Sequence, residues 1–181
     1  MMAHVFRPAL PYIGLPIIST ALLVLRAAQL GPLITLQFVM LIILGYITAV
    51  FDIKTQIIPN RIILIMLASW VMIITPSLLY NTDAAAGMMV DAIFGFALGG
   101  GLFLIVYIIS HKELGGGDVK FMAASGLYLG MGRILPAIFF GTVLAALTGL
   151  TLILMKKIGR KDTIPLAPFL FAGILITVFV M

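Results

Sequence analysis

The sequence predicts an all-α fold: a polytopic membrane helix bundle of about seven membrane segments, N-terminus in the cytoplasm, forming one integral membrane domain over residues 1–181. Three observations lead there. Residues are 63% hydrophobic and only 9% charged, whereas soluble globular domains carry about 25% charged residues. The apolar runs approach the ~20 residues that a helix needs to cross a hydrocarbon core. None shows the strict alternation of a barrel strand, so the backbone polar groups must be satisfied within helices.

The first expected segment, residues 12–30, is the weakest, with Pro16 near its start and Arg26 near its end. Leu15 to Leu25 also has the length of a signal-peptide core, but no small-x-small cleavage pattern follows, so a retained helix is favoured. Leu33 to Phe51 is a clearer span that ends at Asp52. Pro59-Asn60 then breaks the helix, because proline lacks an amide hydrogen and disfavours helix at the preceding residue. Ile62 to Tyr80 is the third span, and Asn81-Thr82-Asp83 reads as a polar turn. Gly87 to Ser110 is the fourth, with Gly95 and Gly99 at a spacing that permits close helix contact. Val119 to Gly132 is short for a crossing, Ile134 to Met155 is longer, and Ile164 to Met181 closes the chain behind Pro165 and Pro168.

Charge placement tests this division. Of eleven Lys and Arg residues, all but Arg26 and Arg133 fall inside if the short 119–132 segment crosses and the N-terminus, with Arg7, is cytoplasmic. Omitting that crossing would place Lys156, Lys157, Arg160 and Lys161 outside, against the positive-inside rule. The net charge of +5 is therefore assigned to membrane orientation; membrane lipid is an expected partner and nucleic acid is not. With no cysteine and only His4 and His111, no thiolate site and no zinc centre are expected, nor any cofactor.

Two polar interruptions then share the cytoplasmic face. One is Asp52-Ile-Lys-Thr-Gln-Ile-Ile-Pro59-Asn60; the other is His111-Lys-Glu-Leu-Gly115-Gly116-Gly117-Asp118-Val-Lys120. Each acid has an ordinary explanation: Asp52 balanced by Lys54 or Arg61, and Asp118 as the N-cap of the helix beginning at Val119. Three glycines before Asp118 allow close backbone approach or positive φ. If the two helices pack, the acids converge. A close pair of carboxyls shares a proton, which makes one a base and the other an acid. Such a pair can activate water against an amide.

Gly115-Gly116-Gly117-Asp118 matches the Gly-x-Gly-Asp motif of intramembrane aspartyl proteases. Asp52 to Arg61 resembles the first-aspartate region of type IV prepilin peptidases, where the acid precedes Ile-Pro-Asn. Gly116 to Gly130 is similar to that family's second-aspartate helix, and Ile164-Pro165-Leu-Ala-Pro168-Phe169 to the start of its last helix. The matching core is residues 33–181, with residues 1–32 outside it; six of the seven segments belong to that core. The resemblance implies that Asp52 and Asp118 are catalytic and that the substrate is a prepilin or pseudopilin, cut at the cytoplasmic face of the inner membrane. Larger members carry a domain with paired cysteines linked to N-methylation. Lacking cysteine, this chain resembles the small peptidase-only members of tight-adherence (Flp-type) pilus systems, and N-methyltransferase activity is not expected.

The remaining polar residues have weaker claims. Lys120 either supports a charged intermediate or snorkels to the interface. Pro59 and Asn60 shape the turn. Glu113 and Asp162 either attract a basic leader or balance nearby lysines. Asp91, one turn after Gly87, is expected at the outer interface near a helix N-terminus. Gly126 and Gly130, like Gly95 and Gly99, are expected at packing surfaces. Gly115 to Gly117 lack the Lys-Ser/Thr pair of a phosphate loop. A small transporter with cation-binding acids, or a noncatalytic assembly factor, are the rival readings.

Overall fold

The computed structural model describes residues 14–25, 27–110, 114–159 and 162–180. Arg7, His4, Arg26, His111, Lys112, Glu113, Arg160 and Lys161, all used in the charge and motif arguments, lie outside the described residues. Within them the chain is helical: α1 (Gly14–Leu25), α2 (Ala27–Leu30), α3 (Pro32–Thr55), α4 (Asn60–Tyr80), α5 (Thr82–Ile109), α6 (Gly116–Leu154) and α7 (Ala167–Val180). Four of these, α3 to α6, are long and apolar enough to cross a membrane; α1 and α7 are shorter apolar helices. Large apolar side chains such as Met72, Ile65, Ile108 and Phe139 are exposed, as expected where lipid replaces water as the solvent.

Several boundaries depart from the sequence expectation. Helix α3 runs through Asp52 to Thr55, ending where Gln56 turns left-handed (φ 52°, ψ 26°). Helix α5 begins at Thr82, five residues before Gly87, because the side chain of Asn81 accepts the amide of Ala84 at 3.2 Å and Asp83 sits in the first turn. What reads as a turn is an N-cap. Asp91 therefore lies well inside α5 and not in its first turn. Helix α7 starts at Ala167 behind a non-helical run, residues 162–166.

Within α6 the two segments expected to divide near Arg133 are both present, and they meet a few residues earlier, at Gly130, with φ 68° and ψ −179°. This is a glycine-only conformation. The chain turns back there. A Cβ on Gly99 would meet both the carbonyl oxygen of Met122, at 2.5 Å, and Ile134 Cγ1, at 3.1 Å, although a straight helix would hold those two residues about 18 Å apart. Gly130 is thus a reversal point as well as a packing surface, since a Cβ on Gly95 would lie 2.9 Å from Gly130 Cα. Gly95, Gly99 and Gly126 pack as well: a Cβ on Gly95 would lie 2.2 Å from the carbonyl oxygen of Gly126. The half of α6 before Gly130 runs antiparallel to α5, and the half after it runs antiparallel to α7, where Gly173 meets Ala137 and Gly141. Both ends of α6 consequently reach the same end of the bundle. The core is filled by Phe38, Leu41, Ile42, Met66, Phe121, Met122, Leu170 and Ile174.

Candidate active site

At that end of the bundle Asp52 and Asp118 face one cavity of about 380 Å³, lined also by Gln56, Ile57, Ile58, Asn60, Gly115, Gly116, Gly117 and Lys120. An adjoining space of about 200 Å³ shares Asp52, Gln56, Gly115 and Asp118 and adds Thr163 to Leu166. The acids are 6% and 8% exposed and near enough for their charges to repel.

Asp52 is held from an unexpected quarter. Placed on α3 alone it sits near the negative end of a helix; in the fold its Oδ2 accepts the backbone amide of Ala167 at 3.0 Å. That amide opens α7, so the carboxylate meets the positive end of a second helix. Residues 162–166 lead into that amide without helical structure, and Pro165 disfavours helix at its predecessor. Pro168, in the first turn of α7, has no amide to leave unsatisfied there.

Asp118 is not an N-cap. Gly115 occupies that position, Asp118 lies in the first turn of α6, and no side-chain capping bond forms. Among the described residues its Oδ1 is buried without a hydrogen-bond partner, at a cost of about 1–3 kcal/mol for an unsatisfied group. The glycines before it serve by being small; none of the three has positive φ. A Cβ on Gly115 would lie 2.8 Å from Asp118 Oδ2, and one on Gly117 would lie 2.9 Å from Ile58 Cβ. Gly116 has only ordinary contact, 3.9 Å to Tyr107.

Pro59 (φ −66°) forms the N-cap of α4 and so sets how the 56–59 connection leans on α6. Asn60 Oδ1 accepts Lys120 Nζ at 3.0 Å. Lys120 therefore lines the cavity tied to α4 and bonds neither acid. Asp162 accepts the amide of Gly159 at 2.7 Å within its own loop. Sequence reasoning assigned no site role to Gln56 or to Thr163–Leu166. Gln56 Nε2 donates to the Thr163 carbonyl at 3.4 Å, linking the end of α3 to the run before α7. The two prolines flanking Leu166 and Ala167 were the available signal.

The fold and site define a multi-pass helical membrane protein with two buried carboxyls at one end of the bundle. Sequence comparison agrees with that description and narrows it. The type IV leader peptidase family (Peptidase_A24) matches residues 38–150, and the chain belongs to this family. It is 33% identical over 136 residues to the prepilin leader peptidase/N-methyltransferase of Bacillus subtilis strain 168, covering 75% of this chain and 52% of that protein. It is 32% identical over 146 residues to the leader peptidase HopD of Escherichia coli, covering 77% and 90%. Against the prepilin leader peptidase/N-methyltransferase of E. coli K12 it is 30% identical, covering 67% and 51%. The chain thus spans about half the length of the two bifunctional relatives. No solved structure matches it significantly.

Proposed function

We propose that this protein is an aspartyl endopeptidase that removes the short basic leader of type IV prepilins or pseudopilins at the cytoplasmic face of the inner membrane. The observation that carries this reading is the pair of buried carboxyls, Asp52 and Asp118, on one cavity. Family membership and the printed names of the relatives support the substrate class. The chain crosses the membrane about seven times with its N-terminus inside. It resembles the peptidase-only members of Flp-type systems, and no N-methyl transfer is assigned to it.

Asp52, oriented by the Ala167 amide, takes a proton from water as its oxygen attacks the scissile carbonyl. Asp118, whose Oδ1 has no partner, gives its proton to the carbonyl oxygen. The resulting tetrahedral diol collapses: Asp52 passes its proton to the leaving nitrogen, the C–N bond breaks, and the diol proton returns to Asp118. Lys120, fixed by Asn60, holds positive charge at the cavity wall. The glycines keep the wall thin enough for an extended peptide.

Co-expression with a candidate prepilin tests the reading. Leader removal is expected with the intact protein and is lost in Asp52→Asn and Asp118→Asn. Activity surviving either change removes that acid from the mechanism; inhibition by EDTA points instead to a metal enzyme. A reporter fused after Asp83 reads external and one after Gly159 internal.

A further inference from the structure

A second polar cavity, of about 100 Å³, lies at the opposite end of the bundle, where α3, α4, α5 and the Gly130 reversal meet. Ile34 and Phe38 give it apolar walls, yet Gln37, Trp70, Asp91 and Arg133 also line it. Gln37 and Trp70 are each 7% exposed. The Trp70 indole nitrogen is buried without an acceptor, and no described residue hydrogen-bonds the Gln37 amide. Asp91 accepts the amide of Met131 through Oδ1 at 3.0 Å, and its Oδ2 lies against Gly130. Arg133 rests over the Phe38 ring, 5.5 Å from its centroid. Among the described residues, neither charged group has an ion-pair partner. Asp91 is exposed and Arg133 half-buried, so the cost of an unsatisfied group falls on the buried Trp70 donor, while the carboxylate and guanidinium face the same cleft without pairing. A ligand carrying both charges satisfies all three.

We propose that this cavity binds the headgroup of a zwitterionic phospholipid that carries a primary ammonium beside its phosphodiester. The ammonium donates to Asp91 Oδ2; the phosphate oxygens accept from Arg133 and the Trp70 N–H. Depth and size agree. From Asp118 to Gly130 the helix rises about 18 Å, well short of the ~30 Å hydrocarbon core, so lipid beside the reversal is drawn inward by mismatch. The volume equals that of roughly three waters, room for the ammonium end with the phosphate at the rim. Val90, Ile93 and Phe94 are exposed on α5 beside Asp91 and offer acyl chains a surface.

The test uses the intact protein in nanodiscs of phosphatidylglycerol containing equal minor fractions of phosphatidylethanolamine and phosphatidylcholine, with retained lipid identified by native mass spectrometry. Phosphatidylethanolamine is expected to be retained in preference to the other two. Asp91→Asn keeps an acceptor for the Met131 amide but removes the charge, and is expected to lower that retention roughly tenfold. Trp70→Phe, which removes only the indole donor, weakens it independently of any loss of fold in Asp91→Asn. Equal retention of the three lipids, or unchanged retention in both variants, overturns the proposal and leaves the cavity to water. Displacement by soluble glycerophosphoethanolamine at matched concentration overturns the lipid assignment; failure to displace supports it.

Discussion

The carboxylate of Asp52 accepts the backbone amide of Ala167, 115 residues further along the chain, at 3.0 Å. One contact thereby joins the last turn of α3 to the first turn of α7 and fixes an acid that α3 alone would hold unfavourably. The roles proposed for the two carboxyls follow from this difference: Asp52 has a donor, while Asp118 has an oxygen without one.

Replacing either acid by asparagine is expected to lower leader cleavage by roughly 10²–10⁴-fold, the range attributed to general acid–base catalysis. In Asp52→Asn the side-chain amide oxygen still accepts the Ala167 amide, so the variant is expected to remain folded in the membrane. Cleavage of a purified prepilin in vesicles, alongside thermal unfolding, separates chemistry from stability.

The rate is expected to follow a bell-shaped pH profile. At low pH both carboxyls are protonated and no base remains; at high pH both are ionised and no acid remains. Each limb belongs to the pair and not to one residue. Initial rates across pH on vesicle-reconstituted enzyme check this, and a flat profile removes the shared proton.

The three glycines are expected to differ. Gly116→Ala meets only Tyr107 at 3.9 Å and leaves cleavage close to wild type, whereas Gly115→Ala presses on Asp118 Oδ2 and Gly117→Ala on Ile58. Both of the latter are expected to lower activity, because displacing a reacting group by about 1 Å can cost on the order of 100-fold. Parallel cleavage assays on the three variants provide the comparison.

Gly95→Ala is expected to destabilise the fold by about 1–3 kcal/mol or more through overpacking, since its Cβ would lie 2.2 Å from the Gly126 carbonyl oxygen. Gly101→Ala, with nothing within 4 Å, is the control and is expected to leave the unfolding midpoint unchanged or slightly raised. Thermal unfolding in detergent reads both.

Lys120 and Asn60 are expected to act as a unit. A double-mutant cycle of Lys120→Met and Asn60→Leu on cleavage rate should show coupling of about 0.5–1.5 kcal/mol, the size of one net hydrogen bond. Strict additivity would show that the bond does not position the lysine for the reaction.

Much of this was legible along the chain. The apolar runs, Asp52 before Pro59-Asn60, and three glycines before Asp118 were enough to expect an all-helical membrane bundle with two acids in one site, because hydrocarbon solvent admits few alternatives to helices. Local chemistry misled where two explanations fitted one residue. Asn81 looked like a turn and is a cap; Asp118 fitted a cap as well as a site acid and forms no cap bond; Gly130 looked like a packing glycine, packs on Gly95 and also reverses the chain. For Asn81 the deciding partner is local, the Ala84 amide; for the other two it lies elsewhere, in the cavity shared with Asp52 and on the α5 surface that packs against α6.

The sequence by itself determined the solvent, most of the secondary structure and which two acids to look for at one end of the bundle, since hydrophobicity, proline and glycine act over one or two turns. Only the tertiary structure decided which helix end offsets Asp52, that Gln56 and residues 163–166 border the site, and that Asp91 and Arg133 meet without pairing. Those relationships depend on which helices pack side by side, and contacts between residues far apart in the chain leave no local pattern from which to read them.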